Sequence, residues 1–311
     1  MDIDNSTLST FKRCPRKYYY QTIKGVIPKR DNYMLAAKFG SAIHASLDAW
    51  FSLAGQDIQV RSKAMDKAFI DSWKEHEKFD ESRILTIFRG LALLDKYKSV
   101  FATEVFDIVA VEKMWSFPVS IITDNEHMRC DVVYWAKIDA VVMMKDTKEI
   151  MILEHKTSGR RNSICTKPNS QLAGYVYVVQ DNLRIPVKGV IVNELTYRKG
   201  GKGEATEDTV ECQRVIDTYS KEELEYWRRD LNYWLTQLVT AHKGRDTNMD
   251  VFPMNTEHCK DYGACPYLEL CKNSDSLDIQ ESIINEAYEP YIWEPWSVAR
   301  PCDTPVNLNN L

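Results

Sequence analysis

The order of elements written into this sequence predicts an α/β fold, a sheet with helices laid against it. Three observations predict it. Residues 106–117 alternate apolar and polar, 129–144 and 149–155 are two apolar runs split by a short polar turn, and Val187–Leu195 is apolar and β-branched. Residues 36–54 and 168–181, by contrast, carry their apolar residues at helical spacing. The resulting order is helix, three strands, helix, strand.

Taken along the chain, residues 6–20 read as a helical start with aromatic and apolar residues at helical period. Residues 36–54 form the next helix. From about 58 to 102 the pattern stays helical, with Ala64, Ala68, Phe69 and Trp73, then Ile84, Ile87, Phe88, Leu91 and Leu94 recurring at three to four. This stretch, 56–102, reads as a helical insertion or arm that could close over a site. Arg198–Glu204 is a basic, glycine-rich segment without the Lys-Ser/Thr ending of a phosphate-binding loop, so it reads as a hairpin tip. Ser220-Lys-Glu-Glu223 is a capping box opening a long helix whose stripe is Leu224, Trp227, Leu231, Trp234 and Leu238.

The 311 residues are 44% apolar, enough for one large core or one core with a small appendage. No run of about 18 apolar residues predicts a membrane span. The first residues show no basic stretch followed by an apolar one, so an intracellular, cytoplasmic protein (host cytoplasm if viral) is expected. The net charge of −5 argues mildly against a protein that merely coats nucleic acid. Local charge points the other way. Residues 12–30 carry Lys12, Arg13, Arg16, Lys17, Lys24, Lys29 and Arg30 with no acid among them, interleaved with Tyr18, Tyr19 and Tyr20. Lys156, Arg160, Arg161 and Lys167 form a second cluster. Either alone reads as a solvated face as readily as a phosphate-binding one; two flanking a metal site favour phosphate.

The chemistry lies in the hairpin. Lys137–Met144 and Glu149–Lys156 are apolar runs that each contain a carboxylate. A hairpin symmetric about Asp146–Thr147 opposes residues whose numbers sum to 293, and 139 + 154 = 293. Asp139 and Glu154 then stand side by side with β-carbons roughly 5 Å apart. Alternation puts Lys156 on the same face as Glu154 and turns His155 away. On a surface the trio would be an ordinary salt-bridge ladder, but the neighbours are Ile, Val, Met and Leu. Two buried like charges are tolerable only around a cation, so a divalent metal site with an ammonium beside it is expected.

Asp139 followed by Glu154-His-Lys156 resembles the signature of the PD-(D/E)XK nucleases. Gly40-Ser-Ala-Ile-His44 is similar to the G-x-x-x-H helix of their RecB-like branch, and Gln171-Leu-Ala-Gly-Tyr175 to its Q-x-x-x-Y motif. Ser6–Tyr18, containing Cys14-Pro15, together with Cys259, Cys265 and Cys271, resembles the iron–sulfur members such as AddB and the CRISPR-adaptation exonucleases. The motifs run from residue 6 to 271. The resemblance implies a mixed central sheet flanked by helices, in a restriction-endonuclease-like core. It also implies an iron–sulfur clasp joining the N- and C-terminal segments. Asp139, Glu154, the backbone carbonyl of His155 and His44 would hold Mg²⁺ or Mn²⁺, the imidazole favouring Mn²⁺. Lys156 would orient the attacking water or stabilise developing charge, and Gln171 and Tyr175 would contact substrate or the lysine. Glu112 matches an acid often found on the first strand, with no settled role.

Eight cysteines in an intracellular chain do not predict a disulfide framework. Cys130, Cys165, Cys212 and Cys302 lack ligand spacing. Cys14, Cys259, Cys265 and Cys271 do have a reason to meet, and thiolates select an iron–sulfur cluster or zinc. The three-plus-one arrangement fits a [4Fe–4S] cluster better than zinc, which prefers two close pairs.

The expected organisation is a basic N-terminal segment (1–35), a nuclease core (36–55 and 103–215), the insertion (56–102), a C-terminal helix with three cysteines (216–275) and a tail (276–311). The expected function is a metal-dependent DNA nuclease, an exonuclease on single strands or duplex ends. Recombination, repair or phage DNA processing would be its setting, with a helicase as a conceivable partner. Its DNA-binding residues would include Arg13, Arg16, Lys17, Arg160 and Arg161. The alternatives are a non-catalytic DNA-binding subunit of a helicase–nuclease complex and a zinc-stapled interaction protein.

Overall fold

The computed structural model describes every residue except 30–34, 77–84, 123–128, 160–164, 199–208, 244–248, 262, 293 and 295–311. Its helices are α1 (Asn5–Arg13), α2 (Pro15–Tyr18), α3 (Leu35–Ser52), α4 (Ile58–Trp73), α5 (Ile87–Val100), α6 (Ser170–Leu183), α7 (Lys221–Lys243), α8 (Leu268–Lys272) and α9 (Leu277–Ala287). Its strands are β1 (Asp2–Asp4), β2 (Val26–Pro28), β3 (Phe106–Ile122), β4 (Arg129–Met144), β5 (Ile150–Ser158), β6 (Val187–Arg198), β7 (Thr209–Thr218) and β8 (Tyr288–Pro290). The chain divides into two compact units. One gathers Met1–Tyr33, Ser116–Ala136 and Glu225–Val298; the other holds Met34–Trp115 and Lys137–Leu224.

The second unit carries the mixed sheet. The end of β4 runs antiparallel to β5, β5 parallel to β6, and β6 antiparallel to β7. The parallel β5–β6 pair requires a crossover, supplied by α6, which packs on both strands. Asn169 caps α6 by accepting from the backbone N–H groups of Gln171 and Leu172. Phe39, Leu47 and Trp50 of α3, Phe69 and Trp73 of α4, and Leu93 and Tyr97 of α5 share one core with Ala140, Val142, Leu153 and Ile191 of the sheet. The helices of 56–102 are therefore built into this core rather than projecting as an arm. Burying such side chains contributes roughly 1.5–3 kcal/mol each, and a mobile arm would forfeit it.

Sequence periodicity missed β7, whose residues are mostly half-buried and show no clean alternation. Its existence follows from the edge of β6, which it completes. Gly189 shows how close that pairing is: a β-carbon there would lie 2.0 Å from the Asp217 carbonyl oxygen and 2.6 Å from the Thr218 α-carbon. Both are backbone atoms that cannot step aside. Gly189→Ala is expected to destabilise the protein by about 1–3 kcal/mol, read as a lowered melting temperature. An unchanged melt would mean that β6 and β7 are not so paired.

The first unit ties chain-distant segments together by strand pairing and ring stacking. β1 runs parallel to β4 over Val133–Trp135, and β2 antiparallel to β8. Tyr20, Tyr267 and Tyr288 form a stack with centroids 5.8 and 5.7 Å apart. Gln280 Nε2 donates to Tyr20 Oη (3.0 Å) and to the Leu270 carbonyl (2.9 Å). The capping box of α7 forms in both directions, Ser220 N–H to Glu223 at 2.7 Å and Glu223 N–H to Ser220 Oγ at 3.2 Å. The buried stripe of α7 includes Leu224, Trp227, Leu231, Leu235, Leu238 and Val239. Trp234 is only half-buried and carries Lys12 over its ring at 5.5 Å. No helix among the described residues is long and apolar enough to cross a membrane.

Candidate metal centre

The β4–β5 register pairs Ala140 with Leu153, Val141 with Ile152, Val142 with Met151 and Met143 with Ile150, every pair summing to 293. The turn takes one residue, Lys148, into the left-handed region at φ 60°. One step beyond the last pair stand Asp139 and Glu154, 6% and 2% exposed. Asp139 Oδ2 accepts the backbone N–H of His155 at 2.7 Å.

Helix α3 supplies the third wall. Gly40, His44 and Asp48 are spaced by four and share a helix face. A β-carbon at Gly40 would press Thr157 Oγ1 at 3.0 Å, so the glycine lets α3 approach the end of β5. His44 Nδ1 lies 3.0 Å from Asp139 Oδ1. His44, Glu112 and Asp139 each offer a ligand atom within 4.8 Å of the others, close to the ~4.2 Å that separates opposite ligands of one ion at ~2.1 Å. The grouping thus includes Glu112 rather than Glu154. Glu112 sits at φ 49° inside β3, a conformation costing about 1–3 kcal/mol in a non-glycine residue and found mainly at functional sites. Lys137 pairs with one of its oxygens.

The electrostatics are those of a site crowded with acids. Burial opposes ionisation of Asp139, but His44 and the His155 N–H outweigh it and hold the carboxyl well below the usual range. Burial, then Asp139, push Glu154 up to about 7 against the pull of Lys156. Burial followed by Glu112 and Asp139 raises Asp48 to about 10, and Asp48 hydrogen-bonds Glu112. Burial would lower His44, yet Asp139 raises it to about 9. Three buried oxygens, Glu154 Oε2, Glu112 Oε1 and Asp48 Oδ1, have no hydrogen-bond partner. Orphaned buried carboxylate oxygens are costly, and a hard cation satisfies several at once. Carboxylates with one imidazole are the donor set of Mg²⁺ or Mn²⁺, so the residues fit such an ion.

A polar relay continues from this centre. Lys156 Nζ lies 2.5 Å from Glu154 Oε1 and donates to Gln171 Oε1 at 2.9 Å, and Gln171 Nε2 donates to Tyr175 Oη at 2.7 Å. His155 points away from this face, as alternation requires. Its ring stacks on Phe51 at 5.5 Å, lies 3.1 Å from Asn193 Nδ2, and burial brings it down to about 3. Its ring also meets that of His44 edge-on at 5.8 Å and acts on Asp139.

A family model described as the PD-(D/E)XK nuclease superfamily matches residues 5–272. The chain belongs to that superfamily. Its members use divalent metals, in agreement with the donor set above. A solved structure of a candidate exonuclease from Eubacterium rectale is similar with a TM-score of 0.44 and 11% identity, over 78% of this chain and 81% of that one. A search of curated proteins found no match.

Within the first unit of this superfamily member, Cys14, Cys259, Cys265 and Cys271 are free thiols. Cys14, Cys259 and Cys265 line one cavity of about 80 Å³ with Arg13 and Lys17. Cys265 N–H donates to the Cys259 carbonyl at 2.8 Å, and Asn255 N–H to Cys14 Sγ at 3.5 Å. Burial, reinforced by the neighbouring thiols, pushes Cys271 up to about 11 and raises Cys265 as well. Among the described residues no three of these sulfurs come within 4.8 Å of one another. The four donors are nevertheless all sulfur, and three of them line one cavity, which suits a soft-metal or iron–sulfur group.

The expected DNA-binding residues separate. Lys17 and Arg13 line a second, polar cavity with Ser6, Ser9, Thr10 and Lys12. Arg16 does not belong with them: it is 4% exposed and its Nε donates to the Phe252 carbonyl at 2.8 Å, so it cannot reach a phosphate backbone. The cause is the break at Cys14, extended at φ −157°, which ends α1 and turns the next residues inward. Arg160 and Arg161 lie outside the described residues, as do Cys302 and most of the glycine-rich loop.

Sequence reasoning missed Asp48 and left Glu112 unassigned. The first was within reach, being four residues after His44 on one face. The second depends on a local left-handed backbone that no periodicity reveals.

The His44–Asp139 pair has a pH consequence. Because His44 is raised from 6.5 to about 9, the pair's contribution to metal-free stability is complete below pH ~6.5 and lost as pH rises through 9. A metal taking the imidazole must displace that proton. Mn²⁺ affinity measured by calorimetry is therefore expected to rise up to about tenfold per pH unit below 9, with proton release. Affinity flat between pH 6 and 9 would exclude His44 as a ligand.

Proposed function

We propose that this chain is a metal-dependent deoxyribonuclease of the RecB/AddB-like branch, an exonuclease acting on single strands or duplex ends. It would carry a [4Fe–4S] cluster on Cys14, Cys259, Cys265 and Cys271. The carrying observation is two sets of contacts meeting at residues 154–155: His44 with Asp139 and Asp139 with the His155 N–H, then the Glu154–Lys156–Gln171–Tyr175 relay. That relay supports a working site over a decayed one.

His44, Asp139, Glu154 and the His155 carbonyl, with Glu112, would hold the cation. When bound, Mg²⁺ or Mn²⁺ neutralises phosphate charge and lowers the pKa of water. Asp139 fixes the imidazole of His44 and, through the His155 N–H, the end of β5. Glu154 holds Lys156 by its Oε1. Gln171 holds the other side of the same ammonium, leaving it aimed where an attacking water or a nonbridging oxygen would stand. Tyr175 fixes the amide orientation of Gln171. Arg13 and Lys17, with Arg160 and Arg161 beyond β5, would hold the phosphate backbone.

End-labelled single- and double-stranded DNA, linear and circular, tests this with Mn²⁺, Mg²⁺ or EDTA. Cleavage of linear substrates from an end, abolished by EDTA and by Glu154→Ala, is expected. Gln171→Ala is expected to lower the rate about 10- to 100-fold with Mn²⁺ affinity unchanged, since it loosens the lysine and not the metal. Activity that persists in EDTA sinks the reading. Wild-type protein that binds DNA and a helicase yet cleaves nothing would favour the non-catalytic subunit.

A further inference from the structure

Arg16 is a buried cation without a carboxylate. Its Nε donates to the Phe252 carbonyl at 2.8 Å, a second bond joins it to Tyr20, and Nη1 is buried with no partner. Among the described residues no acid lies within ion-pair distance of it, in contrast to Arg13, which stands 3.7 Å from Asp261. A guanidinium cannot discharge by losing its proton, and an isolated buried charge costs several kcal/mol. Tyr20, the partner of Arg16, donates its Oη–H to the Leu270 carbonyl at 3.5 Å, and the next residue, Cys271, packs into the same small cluster as Tyr20, so the guanidinium and the Cys271 thiol act on each other. Lys17 acts on Cys265 in the same way. The turn at Cys14 thus places one cysteine of the quartet and, two residues later, a fixed positive charge facing another.

We infer that Arg16 is the internal counter-charge of an anionic four-thiolate centre, and that it sets the reduction potential of that centre. This rests on the iron–sulfur reading above. Four thiolates outweigh the positive charge of the cluster core, so the loaded centre is anionic, and taking up one electron makes it more so. A guanidinium beside it favours the reduced form. In the metal-free protein the same residue meets the Cys271 thiol, which burial pushes up to about 11, and is a liability. A structural arginine that merely holds the Phe252 carbonyl would stabilise both forms alike.

The test compares wild type, Arg16→Gln and Arg16→Lys, purified without oxygen, with iron and sulfide measured first. Dithionite titration with redox dyes gives the potential; thermal melts are taken before and after chelation strips the iron. Arg16→Gln is expected to lower the ratio of reduced to oxidised cluster at least about tenfold at a fixed poise, 59 mV for a one-electron couple. Arg16→Lys is expected to stay within about threefold of wild type. Arg16→Gln should melt below wild type when loaded and at or above it when stripped. An unchanged potential, or an equal loss of melting temperature in both forms, overturns the inference. So does an Arg16→Lys protein whose ratio of reduced to oxidised cluster moves more than about tenfold from wild type, an outcome that can be read even if the glutamine variant does not accumulate. Colourless wild type with stoichiometric zinc overturns the iron–sulfur reading instead, and the loaded-against-stripped melts then judge the counter-charge alone.

Discussion

Asp139→Asn is expected to cut metal-dependent cleavage by roughly a thousandfold or more. The amide keeps the shape of the side chain and can still accept the His155 N–H, now received by Oδ2 at 2.7 Å, so the end of β5 should stay in place. What it removes is the charge. His44 is held at about 9 because Asp139 offsets the burial that would otherwise lower it. Without that carboxylate the imidazole loses its proton near neutrality, and the cation loses an acid that stays ionised at any working pH. Glu154 does not restore it, because burial, the largest cause that raises its carboxyl, remains when Asp139 is neutralised. Lys156→Ala should separate the two halves of the site: a rate loss of about 10²- to 10⁴-fold with Mn²⁺ affinity nearly intact. Steady-state cleavage and Mn²⁺ calorimetry on both variants check this. Cleavage by Asp139→Asn within tenfold of wild type would remove the acid from any metal site.

Much of this site was legible because it is local. A four-residue turn and a period of two determine which residues of a hairpin face each other, and the sum of 293 held through all four pairs of the register. Gln171 and Tyr175, one helical turn apart, had to share a face, and they bond each other. What the sequence hid is set by distant partners. Lys12, Arg13, Arg16 and Lys17 look alike as a basic run, yet Phe252, 236 residues away, takes Arg16 inside. The helices between residues 56 and 102 carry the periodicity of an appendage and of a core equally well; only Phe39 and the sheet residues they meet decide between the two. Glu112 is hidden most thoroughly, since it enters the cluster through a left-handed backbone within an alternating strand.

Loss of the proposed cysteine centre is expected to unfasten the first unit, and the size of the effect follows from the chain length enclosed. Cys14 and Cys259 are 259 − 14 = 245 positions apart. Closing a loop of that length once removes about 5 kcal/mol of unfolded-state entropy in the chain-entropy picture, an upper figure because unfolded chains are not random. The non-covalent ties across the same ends, β2 with β8 and the Tyr20–Tyr267–Tyr288 stack, lie next to Cys265 and Cys271 and share one small apolar cluster with them. They bury far less than the core of the second unit, so they should not hold alone. Cys14→Ser is therefore expected to lower the melting temperature by about 10 °C or more and to expose the segment around Lys24–Pro28 to proteases. Because Arg13 and Lys17 flank Cys14, DNA affinity should fall as well, with a shallower dependence on salt as phosphate contacts are lost. Cys130→Ser, which alters a thiol without ligand spacing, should change none of these. Equal melts for Cys14→Ser and Cys130→Ser would mean that the two chain ends are held by packing alone.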